Sequence, residues 1–177
     1  MVIDDAGSAG TTRGSAREAI REELERVRGH FHAVVAALHE ADWWAASLNP
    51  AWTVAELLSH VTVQLGSLPC LVEVARSGRG LPPLPRSLVD RLNVGITRRG
   101  ARGETLQTIH IHYDAAHAAA LVALELVRDD EWQRGHSFFG EYYTIEALFR
   151  SHARHFAEHL AQLRPADGPG QSHALSA

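Results

Sequence analysis

The sequence predicts an all-α protein, a four-helix bundle with a short extra helix in the long connection between helices two and three. Apolar residues recur at three- and four-residue steps in four long segments, the pattern of amphipathic helices. Strand-like alternation is scarce between these segments. The chain has 177 residues, 45% of them hydrophobic, which is enough for one domain with its own core. We expect one bundle over residues 15–164, between a flexible N-terminal tail, 1–14, and a disordered C-terminal tail, 165–177.

Helices one and two are predicted from their apolar stripes. Helix one is expected over residues 15–40, and its inner face carries Ile20, Leu24, Val27, Phe31, Val34, Val35 and Leu38. Helix two opens at "TVAE", where Thr53 as N-cap and Glu56 three residues later form a capping box. Pro69 is expected to kink or interrupt helix two, and the segment "SGRGLPPLP" ends it.

The second half of the chain supplies the extra helix and the last two long helices. The extra helix is expected over residues 87–97, and helix three over residues 104–127. The segment "DDEWQRGHSFFGEYY" is predicted to be a loop. Thr144 then caps helix four, which is expected to end near Leu163.

Composition excludes several classes of function. The net charge is −4 with both signs interleaved, so a nucleic acid is not expected as a partner, because phosphate binding needs a basic face. No uninterrupted apolar run reaches the length needed to cross a bilayer, and the N-terminus lacks the features of a signal peptide, so a cytoplasmic protein is expected. Every basic residue is an arginine, which rules out Schiff-base chemistry and a P-loop lysine. The single cysteine, Cys70, lies in an apolar context and is interpreted as an inert buried thiol.

The last helix carries three histidines where a purely structural helix would carry apolar residues. His152, His155 and His159 fall within roughly 60° of one another, since each helical residue turns by about 100°. His155 and His159 are four residues apart, so both rings can point at one spot, which is a common way for a helix to offer two nitrogen ligands to a metal ion. The alternative is that each ring is a half-buried histidine that hydrogen-bonds to a carbonyl or to water.

A metal site of this kind needs a third ligand from a facing helix. His60 is the best candidate, because it flanks the apolar stripe of helix two in the same way. His110 and His117 on helix three also project inward, but their seven-residue separation spans about 10 Å along the helix, too far for one ion. Either could instead be a core histidine, and His117 is the better candidate for lining a pocket.

Two segments of the chain resemble the DinB/YfiT-like superfamily. "WTVAELLSHV", residues 52–61, resembles the helix-two signature of that family, and "TIEALFRSHARHFAEHLAQL", residues 144–163, resembles its closing helix. "LVDRLNVGITRRGA" and "YDAAHAAAL" resemble its actinobacterial members. The resemblance implies a four-helix bundle with one divalent transition metal, zinc or nickel or else iron, held by His60, His155 and His159. His152 is not required by the family pattern, and Pro69 departs from it.

The resemblance also implies a class of chemistry. A three-histidine ion with an open position would activate water for hydrolysis, or a low-molecular-weight thiol for transfer to a small electrophilic substrate. For an actinobacterial source, mycothiol is the expected thiol. The remaining site predictions are His152 as an acid/base, Glu158 as a residue that supports the ligands, and a substrate pocket lined by His117, Tyr142, Tyr143 and Asn93.

Two other functions stay open from the sequence. The chain could be a non-catalytic protein that binds a small molecule and protects the cell from it, without needing the metal. It could also be a structural bundle whose histidines are satisfied by hydrogen bonds. Exposed helix faces of such bundles often pair, so a homodimer is a further expectation.

Overall fold

The computed structural model describes residues 6–80, 86–138 and 140–163, which form helices and one small β-hairpin. The helices are α1 (Ala6–Ala36), α2 (Glu40–Trp43), α3 (Val54–Ser77), α4 (Arg86–Ala101), α5 (Leu106–Glu125) and α6 (Ile145–Leu160). The hairpin pairs β1 (Gly135–Phe138) with β2 (Glu141–Thr144) in antiparallel register. The predicted C-terminal tail, 165–177, lies outside the described residues.

The four long helices α1, α3, α5 and α6 form the predicted bundle, with α3 packed against α4, α5 and α6. Their inward side chains make one continuous core, in which Phe31 of α1 stacks on Tyr113 of α5 with ring centroids 3.8 Å apart. Apolar burial of this kind is the main source of bundle stability. The core brings the first half of α3 against the last half of α6.

The helix ends agree with the predicted capping residues. Thr53 accepts a hydrogen bond from the Glu56 backbone N–H, and the Glu56 carboxylate accepts one from the Thr53 backbone N–H. Gly78 ends α3 with a φ of 66°, a left-handed conformation that suits glycine. Thr144 caps α6 by accepting from the Ala147 N–H. These caps fix where α3 and α6 begin, and therefore which residues reach the centre of the bundle.

Several predicted elements differ from the observed ones. α1 begins at Ala6, earlier than residue 15, and α4 extends beyond the predicted residues 87–97. α3 runs through Pro69 without interruption. Part of the segment predicted as a loop is the β1–β2 hairpin, whose turn contains Gly140 at a φ of 90°. Each strand has only four residues, too few for alternation to be visible in the sequence.

The structure of α3 bears on two of the predictions from composition. α3 is long and apolar enough to cross a membrane by length and composition. Its apolar side chains are part of the bundle core, since half of the most apolar stretch of α3 is buried inside the protein. Cys70 is exposed rather than buried, because it lies on the face of α3 opposite the buried Leu68 and Val72.

Candidate metal centre

Three histidines from two helices converge at one end of the bundle. His60 projects from α3, and His155 and His159 project from consecutive turns of α6. One ring nitrogen of each lies within 4.8 Å of the other two, and the Nε2 atoms of His60 and His155 are 2.9 Å apart. His60 and His159 are buried, and His155 is half-buried. The structure therefore brings together the three residues that the sequence predicted as ligands.

Hydrogen bonds on the outer side orient two of these rings. His60 Nδ1 lies 3.4 Å from the hydroxyl of Thr97, a buried residue of α4. His159 Nδ1–H donates to Gln162 Oε1 at 3.1 Å, and Gln162 Oε1 also accepts from the Asn49 side chain at 2.9 Å. With Nδ1 engaged, each ring turns Nε2 toward the centre of the cluster. Outer hydrogen bonds of this type are characteristic of metal-ligating histidines.

The position of Thr97 depends on how α4 is attached to the start of α3. The Arg98 guanidinium donates to the Ala51 carbonyl oxygen at 2.9 Å and lies 3.6 Å from the Glu56 carboxylate. These contacts tie α4 to the segment that leads into α3, so that Thr97 lies against His60. Arg98 is therefore an anchor for α4.

The rings of the cluster are neutral at physiological pH. Burial, together with His155 and His159, lowers the pKa of His60 to about 3. Burial, together with His159 and Arg154, lowers the pKa of His155 to about 4. The pKa of His159 is also lowered, chiefly by burial. Neutral imidazole is the form that binds metal ions, so the site does not need to lose protons before it can bind one.

The donor set fits a borderline divalent ion. Imidazole nitrogens suit zinc, nickel, copper and iron, whereas magnesium and calcium prefer oxygen ligands. Three protein ligands are the usual number for a catalytic zinc site, which keeps a further position open. His60 Nε2 and His155 Nε2 are 2.9 Å apart, so without an ion one of them carries the proton of a hydrogen bond and the other directs its lone pair at the centre of the cluster.

Trp52 and a small apolar pocket border the cluster. The Trp52 ring lies 4.5 Å from the His60 ring and 5.4 Å from the His159 ring, centroid to centroid. The Trp52 Nε1 atom is buried and has no hydrogen-bond partner among the described residues. Beside His159 is a small pocket of about 10 Å³, room for about one water molecule, lined by apolar residues such as Val61 and Phe156. Apolar side chains thus exclude water from one side of the cluster.

His152 lies one turn before His155 and is fully buried. Its Nδ1–H donates to Gln64 Oε1 at 2.7 Å, and its Nε2 accepts from the Tyr113 hydroxyl at 3.1 Å. Burial lowers its pKa to about 3. Because both ring nitrogens have partners, this geometry favours a supporting role over the predicted acid/base role.

The other predicted site residues lie in different surroundings. His117 is buried on α5, with Nε2 3.8 Å from the Glu25 carboxylate of α1. Glu158 is exposed and its carboxylate lies 3.9 Å from Arg154. Two tyrosines and an asparagine remain: Tyr142 is exposed on β2, Tyr143 donates its hydroxyl proton to Glu141, and Asn93 is half-buried one turn before Thr97.

Among these residues, only Asn93 shares a face with a residue that contacts the cluster. In the described part of the chain, no hydrogen bond or ring contact joins His117, Glu158, Tyr142 or Tyr143 to the three converging histidines. Glu158 was predicted to support the ligands, but helical projection places it on the solvent side of α6, and the structure shows it exposed there. Asn93 stays a prediction, since it lies one turn from Thr97 but is not among the residues that line the pocket beside His159.

Thr97, Gln162 and Asn49 were not identified from the sequence. Gln162 could have been identified, since it follows His159 by only three residues, just beyond the end of α6. Thr97 and Asn49 had none, because their contacts depend on how α4 and the segment before α3 fold back onto the bundle.

Replacement of Gln162 by alanine is expected to weaken metal binding by about 10- to 100-fold, because His159 loses the acceptor that orients its ring. Competition with a chromophoric chelator measures this affinity. Gln107→Ala, at an exposed position on α5, is the matched control. An unchanged affinity in Gln162→Ala would mean that the Gln162 contact does not orient the ligand.

Comparisons with known proteins agree with this architecture. A family model described as the DinB superfamily matches residues 23–163. A crystal structure of the mycothiol-dependent maleylpyruvate isomerase superposes with a TM-score of 0.70 at 16% identity, covering 85% of this chain and 61% of that one. A histidine-to-alanine mutant of that isomerase gives a TM-score of 0.67 at 16% identity, covering 83% of this chain and 60% of the mutant chain. No curated protein sequence matches the chain significantly.

Proposed function

This chain belongs to the DinB superfamily, and on that premise we propose that it is a metal-dependent enzyme that joins a low-molecular-weight thiol to a small electrophilic substrate. The observation that carries the proposal is the convergence of three neutral imidazoles from α3 and α6 on one point. Three nitrogen ligands are enough to hold an ion and few enough to leave it reactive.

His60, His155 and His159 are the residues that would hold the ion. When bound, a divalent ion supplies Lewis acidity, which lowers the pKa of a thiol or water and polarises a substrate oxygen. Thr97 and Gln162 keep the ligand rings in place, each by its contact with an Nδ1 atom. Trp52 shields one side of the cluster from water, and the apolar side chains around the small pocket beside His159 exclude water there.

The solved neighbours support the thiol as the second substrate. Both are forms of an enzyme whose name states its dependence on mycothiol. At 16% identity the likeness establishes the fold alone, and this chain spans about three-fifths of the length of that enzyme. Mycothiol as the thiol, zinc or nickel as the ion and the cytoplasm as the location are therefore part of the proposal.

The test is a turnover assay on the metal-loaded protein. A panel of mycothiol, glutathione and cysteine is offered with a model electrophile, and the conjugate is measured by chromatography. With an alkyl halide as the model electrophile, the sulfur forms a bond to the carbon, the carbon–halogen bond breaks and halide leaves with its electron pair, while the thiol proton is released to solvent. We expect many equivalents of conjugate per chain with one preferred thiol, and background rates in His155→Ala.

Two outcomes would overturn this proposal in different ways. Loss of the electrophile at the same rate without any thiol would identify water as the nucleophile and make the protein a hydrolase. If wild type and His155→Ala both capture no more than one equivalent of substrate per chain, the protein is a binding protein that sequesters its ligand. The control His112→Ala removes an exposed histidine of α5 and is expected to keep full turnover.

We also propose that the Trp52 indole N–H orients the substrate, since it is buried and lacks an acceptor among the described residues. Trp52→Phe keeps an aromatic wall and removes only this donor. The expected effect is a rise in KM of roughly 2- to 12-fold, which corresponds to one net hydrogen bond of about 0.5–1.5 kcal/mol. The metal content should be unchanged. An unaltered KM would remove Trp52 N–H from the substrate contacts.

A further inference from the structure

A second pair of histidines joins α1 to α5, away from the three-histidine cluster. His32 of α1 and His110 of α5 place their Nδ1 atoms 2.6 Å apart. Their rings are nearly parallel, with centroids 4.9 Å apart and an angle of 14° between the planes. This Nδ1 separation resembles the 2.9 Å between His60 Nε2 and His155 Nε2. The contact lies where α1 packs against α5.

Asp114 determines which nitrogen of His32 is available. The Asp114 carboxylate, 2.8 Å from His32 Nε2, accepts the Nε2–H, which leaves the Nδ1 lone pair directed at His110. Asp114 is itself fixed by the Arg28 guanidinium at 2.7 Å, which lowers the pKa of the Asp114 carboxyl to about 2. A carboxylate that receives the far N–H of an imidazole is the usual partner of a metal-binding histidine.

The His110 ring is also suited to donate a lone pair. Partial burial and the nearby His32 ring lower the pKa of His110, so the ring is neutral at physiological pH. In the absence of an ion, one of the two facing Nδ1 atoms must carry the proton of the hydrogen bond. Since Asp114 already holds the Nε2–H of His32, that proton belongs to His110, and a change of its tautomer frees the second lone pair.

The charges and the exposure of the surroundings permit a cation. The positive charge of Arg28 is shared between the carboxylates of Asp114 and Glu25, at 2.7 and 3.8 Å. The side chain of His32 is 28% exposed, so water can complete the coordination. Within the described residues, only the His60 cluster brings three metal-ligating groups together. The second pair would therefore bind more weakly, with two protein ligands.

We propose that His32 and His110 form a second site for a borderline divalent transition ion, such as zinc, nickel or copper, which links α1 to α5. The two nitrogen ligands come from rigid helices, and Asp114 orients His32. Nitrogen ligands select this class of ion over calcium and magnesium. The separation between the Nδ1 atoms must open slightly to admit the ion, which a change of side-chain rotamer can provide.

The test is equilibrium dialysis of the chelator-treated full chain against increasing zinc, followed by elemental analysis. The wild type is expected to bind a tight equivalent and then a weaker one. His155→Ala should lose the tight equivalent and keep the weaker one, whereas His32→Ala and His110→Ala should lose the weaker one and keep the tight one. Asp114→Asn should weaken the second equivalent by about 10- to 100-fold.

His112→Ala is the matched control, because His112 lies two residues from His110 on the exposed side of α5 and contacts Glu104 instead. It should bind zinc as the wild type does. A single equivalent in the wild type at saturation, or a second equivalent that survives in both His32→Ala and His110→Ala, would overturn the proposal. Because His155→Ala should lose only the tight equivalent, the second site can be tested independently of the catalytic site. Circular dichroism of each variant confirms that it is folded.

A second readout is thermal unfolding in the His155→Ala background. Excess zinc should raise the Tm of His155→Ala, since an ion that binds only the folded state stabilises it by mass action. The same addition should leave the Tm of the double variant with His110→Ala unchanged. Equal shifts in the two proteins would place the second ion elsewhere.

Discussion

Alanine at any one of His60, His155 or His159 is expected to abolish stoichiometric metal binding. The binding free energy of a structural zinc site is about 10–16 kcal/mol, so the loss of one of three ligands should cost about 4 kcal/mol, or roughly 10³-fold in affinity. Metal content after extensive dialysis, measured by plasma mass spectrometry, should fall from about one ion per chain to a small fraction. Catalytic turnover should fall with it.

The three alanine variants should behave alike, because each ring contributes one nitrogen to the same point. His112→Ala should retain the wild-type metal content, because His112 is an exposed residue of α5 that contacts Glu104 and not the cluster. Wild-type metal content in all three variants would contradict the assignment of this cluster. Loss in only two of them would show that the third ring is not a ligand, and would direct attention to the neighbouring side chains.

The converging histidines could be predicted because their positions follow from local rules. His155 and His159 are neighbours on any helix, and the Thr53 capping box fixes the start of α3, and with it the face that His60 occupies. The family resemblance then joined the two helices, which helical projection alone cannot do. Projection gives the face of a residue but not its height relative to a residue on another helix.

The contacts that depend on tertiary docking could not be predicted. Thr97 reaches His60 only because Arg98 anchors α4 to the segment before α3. The His32–His110 pair likewise requires the register of α1 against α5, which the spacing of apolar residues leaves undetermined. His32 was not among the site residues predicted from the sequence, and the structure places it between α1 and α5.

The apolar residues around Cys70 led to a wrong prediction of its burial, because a helix has both a buried and an exposed face. Cys70 stands among apolar letters, but the buried positions Leu68 and Val72 are each two residues away, so Cys70 points about 160° from them. The hairpin was missed for another reason: its register depends on pairing between two four-residue strands, which neither strand signals alone. Both errors lie outside the metal centre and leave its geometry unaffected.

Replacement of His152 by glutamine is expected to make the stability of the metal-free protein less sensitive to acid. Burial lowers the folded-state pKa of His152 to about 3, whereas the unfolded chain takes up this proton near pH 6.5. The contribution of His152 to stability is therefore complete above pH 6.5 and is lost as the pH falls towards 3. One proton corresponds to about 1.4 kcal/mol per pH unit, so wild type should lose about 3 kcal/mol more than His152→Gln between pH 6.5 and 4.

Urea unfolding of metal-free wild type and His152→Gln across this pH range measures the difference. Glutamine suits the comparison because its amide can donate to Gln64 and accept from Tyr113, and it does not titrate. The other buried histidines titrate equally in both proteins and cancel. His112→Gln, an exposed position, should follow the wild-type curve. Parallel curves for wild type and His152→Gln would show that the folded protein protonates His152 as readily as the unfolded chain does.

The same variant separates a supporting His152 from a catalytic one. If the only role of His152 is its pair of hydrogen bonds to Gln64 and Tyr113, His152→Gln should keep turnover at pH 7 within a few-fold of wild type, since both hydrogen bonds remain. A general acid or base would lose about 10²- to 10⁴-fold. A loss of that size with unchanged metal content would restore the acid/base role, and it would require the Tyr113 or Gln64 contact to open during the reaction.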